Sequence, residues 1–385
     1  MTAPRYAEML AGLIAIDTTS RRSNLPLLDH VETYLGAFDC RFRRIGGQDE
    51  GKANLWVTIG PEDQPGYVLS GHCDTVPVDG QAWTSDPFTL REAGGRLHGR
   101  GTADMKGFLA VCLAKMPEMA AAVLKRPIHL AISYDEEVGC RGVRPLIAAL
   151  DGLACDPLGC FVGEPTRMAV VTGHKGKHAY RTIVTGSAGH SSVAPRHVNA
   201  VEYAARLIEE IRRMALRIAE EWPRDPRYDI PHSTLLTTMI QGGVALNVVP
   251  ERCVLDWECR LLPEDELAGL PEMIMAYARR ELLPAMRAIR PEAALDVEAL
   301  FSYPGLDTDD GHPLVRLAQR LAGRNELRRV AFGTEAGLYD QAGIPSVVIG
   351  PGSIEQAHKA DEFIEMEQLE ACGDFVSALI AECCR

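Results

Sequence analysis

Over roughly the first 173 residues, short apolar runs alternate with stretches of helical periodicity. Asn54 to Ile59, Tyr67 to Ser70, Ile128 to Ser133 and Gly159 to Val162 are compact runs that read as strands. Met105 to Leu124 carries apolar residues at helical spacing, and Met9 to Ile16 reads as a first amphipathic helix. Strands alternating with helices predict an α/β fold with a largely parallel sheet flanked by helices.

The texture then changes. His178 to Thr185 alternates like a half-exposed strand, and Asn199 to Ala219 is a long amphipathic helix. Ser233 to Ile240, Leu246 to Val249 and Cys253 to Leu261 read as antiparallel strands, and Asp265 to Glu281 as a second helix. Together they suit a small α+β domain. The first texture returns near residue 295, with a helix over Pro313 to Arg324, a buried strand over Ser346 to Ile349 and a closing helix over Glu365 to Cys383. The pattern predicts a catalytic domain over residues 1–175 and 291–385, interrupted by a smaller domain over 176–290. Gly173-His174-Lys175-Gly176 is a candidate hinge, since glycine tolerates unusual backbone angles.

Composition narrows the classes. A chain of 385 residues exceeds one comfortable core, which supports two domains. With 46% hydrophobic and 24% charged residues it reads as a globular enzyme. The net charge of −13 argues against a nucleic-acid partner, whose phosphates call for basic patches. Eleven scattered cysteines without a C-x-x-C pair read as reduced thiols in a cytoplasmic protein. No run approaches the ~18 apolar residues of a membrane span. The Met9 to Ile16 stretch follows Glu8 and lacks the basic start of a signal peptide.

The candidate chemistry lies just beyond the apolar runs. His72-Cys73-Asp74 follows the run at Tyr67, Asp135-Glu136-Glu137 the run at Ile128, Glu164 the run at Gly159, and His358 comes shortly after the run at Ser346. In an α/β sheet, ligands bind past the carboxyl ends of the strands, so these side chains can converge. Histidines with carboxylates and no clustered cysteines suit a hydrolytic zinc-type site better than a structural one. Asp104, in the Gly-rich Gly99 to Gly107, is a candidate bridge between two cations; alone it would read as a helix N-cap. Asp74 is placed to fix the His72 ring, and one of Glu136 and Glu137 can bind metal while the other faces a water. His190 could donate to an oxyanion, while Asn247 and Arg260 could hold a substrate carbonyl and carboxylate. Taken singly, His190 also reads as a loop histidine and the acidic run as a solvated loop. Cys73 reads as a small buried hydrophobe, and His98, His129, His174, His178, His197, His232 and His312 as structural or solvent-exposed. Gly99-Arg100-Gly101 lacks a dinucleotide fingerprint, and Ser191-Ser192 lacks a nucleophile elbow.

Together, Ser70 to Pro77, Gly99 to Gly107, Asp135 to Gly139, Gly163 to Thr166, Gly189 to Pro195, Asn247 to Pro250 and Gly350 to His358 resemble the aminoacylase/acetylornithine deacetylase family of metallopeptidases. The resemblance runs through nearly the whole chain. It implies two divalent metal ions, usually zinc, with cobalt as a substitute. His72 and Glu164 would hold one, Glu137 and His358 the other, and Asp104 would bridge them. Asp74 would orient His72, Glu136 would act as general base, His190 would stabilise the oxyanion and Arg260 would contact the substrate carboxylate. The inserted domain would act as a lid and as the contact of a homodimer. Phe301 to Thr308, Phe332 to Ala336 and Gly350 to His358 are similar to the acetylornithine deacetylase branch, which implies N-acetylornithine as substrate in arginine biosynthesis. Glu335, in that branch-specific stretch, would recognise the substrate's side-chain amine. Another N-acyl amino acid, a succinylated substrate or a dipeptide is the alternative within the family. A metal-binding homologue without turnover is the alternative outside it.

Overall fold

The computed structural model describes residues 3–47, 50–153 and 156–385. The described chain divides into two compact units. Unit one comprises 1–173, 306–329 and 334–385, and unit two comprises 174–305 with 330–333.

Among the described residues, unit one is built on a nine-stranded sheet. Its centre runs in the order Ile128–Ser133, Gly66–His72, Pro157–Val162 and Ser346–Val348, all parallel. Towards one edge lie Ala53–Ile59 and Arg41–Gly46, each antiparallel to its neighbour. Val170–His174 continues the other side, antiparallel to Ser346–Val348. The sheet is therefore parallel at its centre and antiparallel towards both flanks. The central strands end level. His72 lies opposite Ser133, Ser70 opposite Val162, and Val348 opposite Val162. The four carboxyl ends thus open on one edge, where the loops carrying Asp74, Glu136, Glu164 and His358 begin.

The helix Gly107–Ala114 is buried along its whole length and packs against Ala3–Ile14 and Met366–Cys383. It explains two invasive glycines. A Cβ at Gly163 would lie 2.1 Å from the Phe108 ring, and one at Gly71 would lie 3.0 Å from Leu109 Cδ2. The helix expected over Met105 to Leu124 is broken. Asp104 and Met105 have non-helical angles, and a second helix, Met116–Ala121, starts with a proline in its first turn.

Unit two is α+β. Its four-stranded antiparallel sheet runs Thr234–Gly242, Arg252–Leu261, Gly176–Thr185, Ala294–Tyr303. The helix Ala200–Glu221 buries Ala204, Leu207, Ile211, Met214 and Ile218 at three- and four-residue spacing. Asn199 caps it by accepting hydrogen bonds from the Val201 and Glu202 N–H groups. Two expectations need correction. The return to unit one expected at residue 291 comes after Gly305, because Ala294–Tyr303 pairs with Gly176–Thr185 across the sheet. The helix expected over Asp265 to Glu281 is split by Gly269, whose φ is 64°. No helix among the described residues is long and apolar enough to cross a membrane.

Candidate metal centre

Seven of the singled-out side chains meet at the carboxyl edge of the central sheet. His72 is buried, and its Nε2 lies 3.0 Å from Asp104 Oδ1 and 3.6 Å from Glu164 Oε1. On its other side, Nδ1 is 3.0 Å from the Asp74 carbonyl and 3.4 Å from the Asp74 carboxylate. Asp74 therefore orients His72 mainly through its backbone. Its carboxylate accepts from Ser20 Oγ and from the backbone N–H groups of Glu136 and Glu137. His358 Nε2 lies 3.3 Å from Asp104 Oδ2 and 3.0 Å from Glu137 Oε2. Asp104 thus stands between the two histidines, one oxygen to each. It does not cap the following helix, whose N-cap residue is Lys106.

The charge balance of this cluster is unfavourable without cations. Among the described residues, Asp104, Glu136, Glu137 and Glu164 face two imidazoles, those of His72 and His358. Burial pushes Glu136 and Glu164 well above the ordinary carboxylate value, and neighbouring carboxylates add to it. Burial and Asp104 push Glu137 up to about 7. Burial raises Asp104, but hydrogen bonds from His358 and His72 outweigh it and hold the group below its usual range. Asp104 and Glu137 draw the His358 imidazole up to about 10. One oxygen of Glu137 is buried without a hydrogen-bond partner. His72, Glu136 and Glu164 offer ligand atoms within 4.8 Å of one another, as do His72, Asp104 and Glu137. Divalent cations would neutralise this donor set, so the residues present fit a metal centre.

The third acid of the run behaves differently. Asp135, at φ 53°, turns away and pairs with Lys52 at 2.6 Å. Lys52 carried no signal in the sequence. Cys73 is fully buried, accepts from Asn24 Nδ2 at 3.3 Å, and burial pushes its thiol up to about 12. It is a packing residue, not a thiolate ligand. Glu335 is as buried as the ligand candidates, 1% exposed, and lies against Ser133 and Ser70; burial pushes it up to about 7.

Unit two places the other candidates on its own surface. His190 and Asn247 are exposed and adjacent, because His190 pairs with Val248 and the Ser191 N–H bonds the Asn247 carbonyl. His190 Nδ1 accepts from the Ser192 N–H at 3.2 Å. In the neutral ring the proton therefore sits on Nε2, which leaves that N–H as a donor. Arg260 is less free than expected, since its Nε lies 3.1 Å from Glu258, which also pairs with Lys177. Of the histidines set aside, His312 caps the helix Pro313–Ala322, and His129 stacks on Trp56.

The model of peptidase family M20/M25/M40 matches residues 68–382, a span that takes in every residue of this cluster. The chain belongs to this family. It is a metal-dependent hydrolase. It is 34% identical to the acetylornithine deacetylase of Proteus mirabilis (strain HI4320), over 98% of this chain and 96% of the relative. Its fold is similar to the M20 family metallo-carboxypeptidase Sso-CP2 of Sulfolobus solfataricus, with a TM-score of 0.77 at 16% identity over 97% of this chain and 98% of the other. It is also similar to the Bacillus subtilis YXEP protein, a dinuclear metal binding peptidase, with a TM-score of 0.65 at 15% identity over 99% and 98% of the two chains.

Proposed function

We propose that this chain removes the acetyl group of N-acetylornithine to give ornithine and acetate, a step of arginine biosynthesis. The observation that carries the reading is the near full-length similarity to an acetylornithine deacetylase, combined with a complete donor set at the strand ends. His72 and Glu164 would hold one cation, Glu137 and His358 a second, with Asp104 between them. Zinc suits these nitrogen and oxygen donors, and cobalt is the natural substitute. Bound cations would polarise the amide carbonyl and lower the pKa of the attacking water.

Glu136 is the general base. It takes a proton from the water and passes it to the leaving amine nitrogen as the C–N bond breaks. Its backbone N–H is held by Asp74, which ties the base to the His72 ring. The Nε2–H of His190 donates to the oxyanion, Asn247 to the substrate carbonyl, and Arg260 to the substrate carboxylate. Unit two is the lid and dimer contact. Its outer strand Thr234–Gly242 supports this, since Leu236, Met239 and Ile240 are exposed along an unpaired edge. The free cysteines among the described residues suit a reducing cytoplasm.

The test is amine release from N-acyl amino acids with and without added zinc or cobalt. Metal-dependent hydrolysis peaking on N-acetylornithine is expected. A peak on another acyl amino acid would overturn the substrate and keep the site. Cation binding without release from any compound would overturn the hydrolytic reading for these substrates.

A further inference from the structure

We propose that Glu362 and Arg100 form a buried clamp that sets Asp104 against His358 and so maintains one of the two cation subsites. The proposal rests on the two-cation reading above.

The two halves of the centre are held by different means. His72 ends a central strand and Glu164 follows one, so the sheet's hydrogen bonds place them. Asp104 and His358 come from irregular backbone. Asp104 lies in a non-helical stretch, and His358 has a left-handed φ of 62° and is half exposed. No ladder places either.

Glu362 supplies the missing constraint for Asp104. Its side chain is 1% exposed and accepts four hydrogen bonds. Oε1 accepts from the Ala103 and Asp104 N–H groups at 2.9 and 3.2 Å, and Oε2 from the Gly101 N–H at 3.0 Å and Arg100 Nη1 at 2.7 Å. Successive N–H groups around a left-handed glycine form a nest for a carboxylate, and Gly101 has φ 82°. A Cβ there would meet Thr75 Cγ2 at 2.7 Å.

Arg100, also 1% exposed, reaches the other loop. Its Nη1 donates to the Lys359 carbonyl at 3.3 Å and its Nη2 to Gln81 Oε1 at 2.5 Å. Gln81 Nε2 in turn donates to the His358 carbonyl at 3.0 Å. The Gly99 N–H closes the link on the Glu362 carbonyl at 3.0 Å. Asp104 and His358, far apart in sequence, are thus joined through one carboxylate, one guanidinium and one amide. Apart from Arg100 Nε, which is buried without a partner, the pair is held by directed hydrogen bonds, and such a buried pair specifies geometry more than it adds stability. These are positioning residues; neither is a ligand.

The test is calorimetric zinc titration of the metal-free protein, with zinc per chain measured by mass spectrometry. Wild type should take up two equivalents. Glu362→Gln keeps the volume but turns an NH2 towards backbone donors. Because Asp104 stands between both cations while His358 belongs to one, the variant should weaken the equivalent that His358 helps to hold by roughly 10–100-fold, the usual cost of losing an outer hydrogen-bond partner, and the other by a smaller factor. Gln81→Met, at a partly exposed site, should act on the His358 equivalent by a smaller factor. It carries the test alone if Glu362→Gln fails to fold. The kcat of both variants should recover at high zinc. Wild type binding one equivalent would overturn the two-cation reading. Wild type binding two, with the folded variants unchanged or losing both equivalents in parallel, would overturn the clamp and leave that reading standing.

Discussion

In unit one, His72, Asp74, Asp104, Glu164, Glu335, Arg100, Lys106 and Glu362 all lie below 9% exposure. In unit two, the sheet and helix close over Leu207, Ile211, Leu255 and Trp257, while His190 and Asn247 stand in solvent. The contrast separates two ways of deploying polar groups. Buried acids raise one another's pKa and are ionised only beside a counter-charge, so unit one's cluster suits cations. Exposed donors cost nothing to maintain. They become effective only when a ligand removes them from water.

Replacing the base would break the comparison hardest. Glu136→Ala should lower kcat by roughly 10²–10⁴-fold while leaving zinc uptake near wild type. A variant with wild-type kcat would remove Glu136 from the mechanism. On the exposed side, His190→Ala should cost about 10²–10³-fold in kcat, the usual loss for one oxyanion donor, with zinc uptake and thermal stability unchanged. A shift in either binding or stability would mean that His190 is structural.

Cation removal should sharpen the contrast. A cation at about 100 times its dissociation constant stabilises by about 2.7 kcal/mol. Chelation should therefore raise hydrogen exchange around residues 72–74, 104 and 136–137 and leave the Ala200–Glu221 helix unchanged. Equal loosening of both would refute the assignment of the metal centre to unit one.

A smaller effect comes from His129, buried beside Trp56, with Nδ1 3.0 Å from Thr58 Oγ1. Burial pushes this imidazole down to about 4 from its ordinary 6.5. Folding therefore favours the neutral ring. Its contribution is complete above pH 6.5, is lost as pH falls from 6.5 to 4, and is constant below that. The loss is roughly 3 kcal/mol. Denaturant titrations of His129→Gln should show a flatter stability profile in that window. An unchanged slope would show that the ring protonates without unfolding.

Much of the site was legible because its residues follow apolar runs, and strand ends in a parallel sheet point the same way. His72, Glu136, Glu164 and His358 could be singled out on that basis. Lys52, Glu362 and Gln81 could not, because each acts on a partner distant in sequence and sits in no periodic run. Glu335 could be singled out by its motif, but only the packing shows that its carboxyl is buried beside Ser133 and Ser70.

The sequence by itself determined the two alternating textures, the mostly parallel character of one sheet and the antiparallel character of the other, and the chemical types available for a metal centre. These depend on local periodicity and side-chain chemistry, which are properties of short windows. Tertiary structure alone decided the order and register of the strands within each sheet, the late return to unit one and the separation of Asp135 from its two neighbours. It also decided which backbone each buried carboxylate grips. Those outcomes depend on contacts between distant segments, and a buried charge is stable only where such contacts satisfy it.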